Sequence, residues 1–208
     1  MTKKEREQML AEKLEQMKQY ERELAAEGVS FIAGVDEVGR GPLAGPVVTA
    51  AVILPEDFDV LGVDDSKKLS PKKREELYEL IMERAIAVSI GRREPEDIDR
   101  INILEATKEA MADAVLGLPV KPDHLLIDAV KLSGLKIPQT SIIKGDARSV
   151  SIAAASIIAK VTRDREMVEM DEKYPGYSFA SNKGYGTKAH YDGLSKLGPC
   201  PIHRKTFL

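Results

Sequence analysis

Two adjacent carboxylates, Asp36 and Glu37, stand at the end of an apolar run, residues 31–35. A loop with three glycines and one arginine, residues 38–46, follows at once. Because neighbouring side chains of a strand point to opposite faces, both carboxylates can reach one site only where the strand ends and the chain turns. Glycines let backbone N–H groups approach a ligand closely, and Arg40 can bind a phosphate. The pattern favours metal-dependent chemistry on a phosphodiester, although an acidic pair before a glycine is also common in surface turns.

Composition limits the class of protein. Of the 208 residues, 43% are hydrophobic but only 5% aromatic, with no Trp, so the core must be aliphatic. The formal net charge of -3 argues against a protein that coats nucleic acid through bulk charge, yet it leaves room for a local basic groove. The N-terminus is densely charged, no apolar run could span a bilayer, and Cys200 is the single cysteine. We therefore expect a cytoplasmic protein without a signal peptide, a membrane contact or an intrachain disulfide.

Hydrophobic periodicity predicts an α/β fold with a mixed sheet and helices on both faces. The predicted strands are residues 31–36, 47–54, 85–92, 124–128 and 139–143, the first two antiparallel. The predicted helices are residues 2–27, 71–84, 95–116 with a break near Asn102, 149–169 and 188–197. We expect residues 1–30 to form a charged, amphipathic N-terminal extension and residues 31–208 to form one domain with a helical C-terminal part. The first helix could dock on the body, pair with a partner or lie in solvent.

Two further carboxylates, Asp128 and Asp146, also stand at the ends of predicted elements. Taken alone, Asp146 could simply be a residue favoured at a helix start. Together with Asp36 and Glu37 they form an oxygen donor set that suits Mg²⁺ or Mn²⁺, and two such ions about 3.5–4 Å apart can support phosphoryl displacement. The chain has neither a Cys/His cluster for zinc nor a nucleotide-binding glycine loop ending in Lys-Ser or Lys-Thr.

Five motifs in order then resemble bacterial ribonuclease HII. The motifs are residues 36–46, 65–70, 126–128, 144–160 and 182–187, and the resemblance covers about residues 31–207. It implies a ribonuclease H-like fold and a metal-dependent endoribonuclease. Such an enzyme hydrolyses the phosphodiester 5′ of ribonucleotides in RNA–DNA hybrids and of single ribonucleotides embedded in duplex DNA, and leaves 3′-hydroxyl and 5′-phosphate ends.

The resemblance also implies roles for particular residues. Four carboxylates would bind two divalent ions, Mg²⁺ or Mn²⁺: Asp36, Glu37, Asp128 and Asp146. The loop of Gly39, Arg40 and Gly41 would recognise the ribonucleotide, largely through backbone contacts. Tyr185 would stack on the sugar of the next deoxynucleotide. Recognition of a 2′-hydroxyl does require close, preorganised hydrogen bonds, which glycine backbone permits.

Several basic residues are candidates for phosphate contacts, although any single lysine is more often solvated surface. They are Lys67, Lys68, Lys144, Arg148, Lys183 and Lys188. Asp164 could lie near the metal ions, but an ion pair on the helix surface is the simpler interpretation. We interpret Cys200 and the three histidines as structural.

Three alternatives stay open at this point. Ribonuclease HIII carries a large extra N-terminal domain and a lysine at the position of Arg40, and thirty residues leave no room for that domain. A junction resolvase or integrase nuclease of the same fold would cut all-DNA substrate and would not need residues 39–41 or Tyr185. A nucleic-acid-binding module with a dead site would not need all four carboxylates. We expect a monomer whose partners are RNA–DNA hybrid and ribonucleotide-containing duplex DNA.

Overall fold

A mixed sheet of five strands organises the computed structural model, which describes residues 2–208. The strands are β1 (Ile32–Val38), β2 (Val47–Ile53), β3 (Ala87–Arg93), β4 (His124–Asp128) and β5 (Gln139–Ile142). Their order across the sheet is β3-β2-β1-β4-β5. The pairs β1–β2 and β2–β3 are antiparallel, whereas β1–β4 and β4–β5 are parallel. The predicted α/β class, mixed sheet and antiparallel first pair are confirmed.

The helices follow the predicted order, except that the first predicted helix is divided in two and a short helix at residues 179–182 was not predicted. They are α1 (Lys3–Met17), α2 (Gln19–Ala26), α3 (Pro71–Arg84), α4 (Pro95–Ile101), α5 (Ile103–Leu116), α6 (Val150–Lys173), α7 (Phe179–Asn182) and α8 (Lys188–Leu197). The prediction of one helix over residues 2–27 is wrong, because Lys18 leaves the helical path and separates α1 from α2. The predicted break near Asn102 is confirmed: Asn102 has a φ of 69° and caps α5 by accepting hydrogen bonds from Leu104 and Glu105.

Helices cover both faces of the sheet. Helix α6 lies across β1 and β2 on one face, and α5 lies across β2 and β3 on the other. Every residue of β2 is therefore buried, as expected for a strand covered on both sides. Gly34 permits the closest approach, because a Cβ there would lie 2.0 Å from the carbonyl carbon of Ser151 in α6.

Helix α1 packs against the α6 face of the sheet. Leu14 and Met17 are buried in the same cluster as Phe58 of the loop after β2 and Val150 of α6. The division at residue 30 into an extension and a domain stays a prediction. No helix within residues 2–208 combines the length and the apolar character needed to cross a membrane.

Candidate active site

The parallel pair β1–β4 brings two of the predicted carboxylates side by side. Val35 of β1 is opposite Ile127 of β4, and the residues that follow them are Asp36 and Asp128. Both lie near the carboxyl ends of their strands, an edge where open α/β sheets place their sites. Asp36 is 4% exposed, and the hydroxyl of Ser156 in α6 lowers the pKa of Asp36 and so partly offsets the effect of burial.

A tight turn before α6 brings Asp146 to the same edge. The backbone N–H of Gly145 donates to Asp128 Oδ1 at 2.7 Å, so the turn is tied directly to the strand end. A Cβ at position 145 would lie 2.5 Å from Ile152 Cδ1, so a larger residue there would require the Ile152 side chain to shift. Asp146 is 6% exposed, and the amine of Lys67 lies 3.7 Å from its Oδ2 atom.

Electrostatics couples these groups into one cluster. Burial raises the pKa of Asp36 well above its usual value, and the neighbouring charge of Glu37 raises it further. Burial raises the pKa of Glu37 too, although the positive charge of Arg40 works in the opposite direction. Burial and then the charge of Asp65 raise the pKa of Asp146. Burial lowers the pKa of Lys67. The surrounding carboxylates, above all Asp146, raise it by more, so the pKa of Lys67 is raised overall.

The glycine loop after β1 has a backbone conformation that would be strained for residues other than glycine. Gly39 has a φ of 95°, and a Cβ there would lie 2.4 Å from Arg163 Nε. Arg40 points outward: its side chain is 45% exposed, and Nη1 lies 3.7 Å from Glu37 Oε1. The loop therefore presents backbone and one cation beside the carboxylates.

Two fully buried arginines, neither predicted from the sequence, hold this loop. Arg163 of α6 donates from Nε to the carbonyl oxygen of Pro46 at 2.9 Å and from Nη2 to that of Ala44 at 3.0 Å. Arg204 donates to the carbonyl oxygens of Gly39, Arg40 and Gly45. Burial lowers the pKa of Arg204 to about 9, which still leaves it charged at neutral pH. Arg163 is seven residues after Ser156, so the two lie on the same buried face of α6, but this spacing does not show which carbonyl oxygens Arg163 contacts.

The predicted stacking residue, Tyr185, lies against the glycine loop. Its ring is 43% exposed, and its Cε1 atom lies 3.7 Å from where a Cβ of Gly41 would be. The backbone N–H of Leu43 donates to the carbonyl oxygen of Gly184 at 2.8 Å, which ties the two loops together. The structure thus places Tyr185 beside Gly41, in the loop that directly follows the Asp36–Glu37 strand.

A buried pair of histidines supports the Tyr185 loop from behind. His190 Nδ1 lies 2.9 Å from the Tyr185 carbonyl oxygen, and His190 Nε2 lies 2.9 Å from His203 Nε2. The backbone N–H of Cys200 donates to His203 Nδ1 at 2.9 Å. These contacts are consistent with two neutral rings, in which His190 donates to the carbonyl and accepts from His203.

Ser156 is a further site residue without a predicted role. Its hydroxyl lies 2.9 Å from that of Ser66, and both side chains are buried. Ser66 opens the short turn that carries Lys67, so this contact connects Asp36, α6 and the Lys67 turn.

The other predicted basic residues are more dispersed. Lys68 lies 3.8 Å from both Asp64 and Asp65, and Lys188 forms an ion pair with Asp192. Lys183 donates a hydrogen bond to the carbonyl oxygen of Ala180. Arg148 donates one to the Tyr20 hydroxyl. Asp164 pairs with Lys160 one turn earlier in α6 and lies 3.9 Å from Arg74, so it sits in ion pairs along the helix.

The donor chemistry of the cluster fits divalent cations. Within residues 2–208, no three histidine, cysteine or acidic side chains converge tightly enough to form a metal-binding group as they are arranged. All four predicted ligands nevertheless offer carboxylate oxygen, the donor that Mg²⁺ and Mn²⁺ prefer. Burial and then the negative charge of Glu37 raise the pKa of Asp36, and a bound cation would relieve the repulsion between these two carboxylates.

Comparison with known proteins identifies close relatives. The sequence model of the family described as ribonuclease HII matches residues 33–208. A ribonuclease HII of Listeria monocytogenes serotype 4a (strain HCC23) is 61% identical over 203 residues, which cover 98% of this chain and 77% of the relative.

Solved structures agree with the fold. The ribonuclease H2 of Pyrococcus horikoshii OT3 superposes with a TM-score of 0.71 at 32% identity, over 85% of this chain and 93% of that chain. The structure of Bst-RNase HIII in complex with Mn²⁺ has a TM-score of 0.60 at 23% identity, over 84% of this chain and 66% of that one.

Proposed function

Because the chain belongs to the ribonuclease HII family, whose members are hydrolases acting on RNA paired with DNA, we propose that it cuts on the 5′ side of ribonucleotides. The substrates are RNA–DNA hybrids and duplex DNA with a single embedded ribonucleotide. The products carry 3′-hydroxyl and 5′-phosphate ends. One observation carries the proposal: Asp36 and Asp128 lie near the carboxyl ends of the parallel neighbours β1 and β4, and the Asp146 turn is hydrogen-bonded to Asp128 through Gly145.

We assign the four clustered carboxylates to the binding of two divalent ions, Mg²⁺ or Mn²⁺. Bound there, such ions would activate water and stabilise the leaving oxygen. The solved relative with Mn²⁺, Bst-RNase HIII, shares the fold and makes a divalent ion a reasonable partner for this chain. The residues themselves contribute charge and position: Asp36 accepts from the Glu37 N–H, Asp128 accepts from the Gly145 N–H, and Asp146 faces Lys67.

Ribonucleotide selection falls to the glycine loop and Tyr185. The loop of Gly39, Arg40 and Gly41 can bring backbone groups close to a 2′-hydroxyl, because no side chain stands at two of its three positions. A deoxynucleotide would leave those polar groups unpaired, which is a strong basis for discrimination. The half-exposed ring of Tyr185, against Gly41, is placed to pack on the neighbouring sugar. Lys67 and Arg40 supply nearby positive charge for phosphates.

The decisive experiment uses duplex DNA with one ribonucleotide beside an all-DNA duplex of the same sequence. Each duplex is incubated with the protein and Mg²⁺, Mn²⁺ or a chelator. We expect a metal-dependent nick 5′ to the ribonucleotide and an intact control. Cutting of both duplexes would indicate a general nuclease of this fold, and cutting of neither would indicate a binding module; each result would contradict the proposal.

The remaining assignments follow from the same proposal. We expect the protein to act as a monomer in the cytoplasm, on nucleic acid and not at a membrane. Sedimentation of the protein, alone and with an RNA–DNA hybrid duplex, would test whether it acts as a monomer.

A further inference from the structure

The N-terminal helices contact the two turns that carry site residues. One turn, residues 145–149, holds Asp146 and leads into α6. The other, residues 64–68, holds Lys67, whose amine lies 3.7 Å from Asp146. Nothing in the composition of an amphipathic helix predicts such contacts, and the proposed function assigns α1 and α2 no role.

Helix α2 is hydrogen-bonded to the beginning of α6 through Glu21. Glu21 Oε1 accepts a hydrogen bond from Ser149 Oγ at 2.6 Å and another from the backbone N–H of Ser151 at 3.0 Å. Ser149 is the N-cap residue of α6, and its hydroxyl oxygen also accepts from the backbone N–H of Ile152. A carboxylate at this end of a helix is favoured by the unpaired N–H groups and by the helix dipole. Glu21 thus fixes the helix start three residues after Asp146.

Tyr20 holds the turn from the adjacent position. Arg148 Nη2 donates to the Tyr20 hydroxyl at 2.5 Å, and the guanidinium carbon lies 5.4 Å from the centre of the Tyr20 ring. Arg148 is two residues after Asp146. Two consecutive residues of α2 therefore contact Arg148 and Ser149, two of the three residues that join Asp146 to α6.

Helix α1 reaches the second turn. Lys13 forms an ion pair with Asp64, and Asp64 Oδ1 accepts from the backbone N–H of Asp65 at 2.9 Å. Asp65 in turn caps the short turn by accepting from the backbone N–H of Lys67. The burial of Leu14 and Met17 anchors α1 close to these contacts.

We propose that α2 is a positioning element of the metal site, because Glu21 and Tyr20 hold in place the turn that carries Asp146. The proposal rests on the proposed function, because it assumes that Asp146 is a metal ligand. Glu21 and Tyr20 touch neither substrate nor ion in this account; they act through Ser149 and Arg148. Removal of a group that orients a metal ligand without touching the metal commonly lowers metal affinity or activity about 10- to 100-fold.

The test compares Glu21→Ala with Glu23→Ala. Glu23 lies on the exposed face of the same helix, and its carboxylate accepts only from Gln19, so the control loses the same charge without loosening the turn. Mn²⁺ affinity is measured on free protein by electron paramagnetic resonance, and kcat and KM are measured on duplex with one ribonucleotide. We expect Glu21→Ala to weaken Mn²⁺ binding about 10-fold and to lower kcat with little change in KM. Glu23→Ala should match the unmodified protein.

Two more variants keep the test decisive. Glu21→Gln retains an oxygen that can accept both hydrogen bonds, so it should restore most of the Mn²⁺ affinity. If Glu21→Ala does not fold, as judged by circular dichroism, Tyr20→Phe removes only the hydroxyl contact and should still weaken Mn²⁺ binding relative to Glu23→Ala. Equal Mn²⁺ affinities in the Glu21, Tyr20 and Glu23 variants would overturn the inference. Failure of the unmodified protein to bind Mn²⁺ or to cut would instead overturn the proposed function.

Discussion

Arg204 donates a hydrogen bond from Nη1 to the carbonyl oxygen of Arg40 at 3.0 Å, so a buried cation holds the backbone of an exposed one. The same guanidinium also serves the carbonyl oxygens of Gly39 and Gly45. The guanidinium spreads five N–H donors over three nitrogens in a fixed plane and so reaches three separate carbonyl oxygens, whereas an ammonium donates from a single nitrogen. The shape of the glycine loop therefore depends on an arginine far away in sequence.

Replacement of this arginine should cost both stability and substrate binding. We expect Arg204→Lys to lower the free energy of unfolding by about 3 kcal/mol, because at least one buried carbonyl loses its partner. Urea denaturation gives the value, with Arg100→Lys, an exposed pair with Asp97, as the matched control. Equal losses in the two variants would show that the buried contacts contribute nothing specific.

Removal of one carboxylate charge should abolish turnover without disturbing the site. In Asp128→Asn the side-chain oxygen can still accept from the Gly145 N–H, so the Asp146 turn should stay in place. We expect kcat to fall about 100-fold or more, with duplex binding and thermal unfolding nearly unchanged. The control is Asp59→Asn, which removes an exposed partner of Arg84. Normal turnover by Asp128→Asn would remove this residue from the site.

The ring of Tyr185 should matter more than its hydroxyl. We expect Tyr185→Ala to lower kcat/KM about 10-fold at a single embedded ribonucleotide, because the ring surface facing the sugar is lost. Tyr185→Phe keeps that surface and should cleave nearly as well as the unmodified protein. Mn²⁺ affinity should be the same in both variants. Unchanged cleavage by the alanine variant would exclude Tyr185 from substrate recognition.

Close approach of α6 to the sheet should make position 34 intolerant of a single methyl group. A Cβ at Gly34 would lie 2.0 Å from the backbone of Ser151, so Gly34→Ala must push α6 away from β1. We expect a loss of about 3 kcal/mol in the free energy of unfolding and a parallel loss of activity. Gly134→Ala is the matched control, since nothing lies within 4 Å of its Cβ position. If the two variants unfold at the same denaturant concentration, the packing argument is wrong.

Buried His203 should make stability depend on pH. Burial lowers the pKa of His203, so the unfolded chain takes up a proton at a higher pH than the folded protein does. The free energy of unfolding should therefore fall as pH drops below about 6.5, the value for an unperturbed histidine. His203→Gln should flatten this dependence when urea denaturation is compared at about pH 7.5 and about pH 5.5. An equally steep fall in the variant would assign the dependence to other groups.

Local patterns predicted the strands, most helix starts and the four carboxylates, because each depends on neighbours in sequence. Asn102 is an example: it favours an N-cap over a helix interior, and the helix does break there. Lys18 carried no such signal, since lysine is a good helix former, and the separation of α1 from α2 was missed.

Contacts between distant segments were not accessible from the sequence. Arg163 and Arg204 look like surface cations when they are considered singly, and only the folded chain shows that both are buried against carbonyl oxygens of one loop. Glu21 is likewise one of many acidic residues in a charged helix, and its role depends on where α6 begins. Buried polar groups with backbone partners follow from tertiary structure, which periodicity does not encode.

The adjacency of Asp36 and Asp128 has a consequence for the activity of the chain while it folds. These residues belong to strands that are neighbours in space but not in sequence, and Asp146 joins them only through a further turn. A chain with only its local hairpin and helices in place would hold these acids apart, because parallel pairing forms through contacts between remote segments. Nuclease activity should thus appear only when the last long-range contacts form. A partly folded chain would not cut the nucleic acid around it.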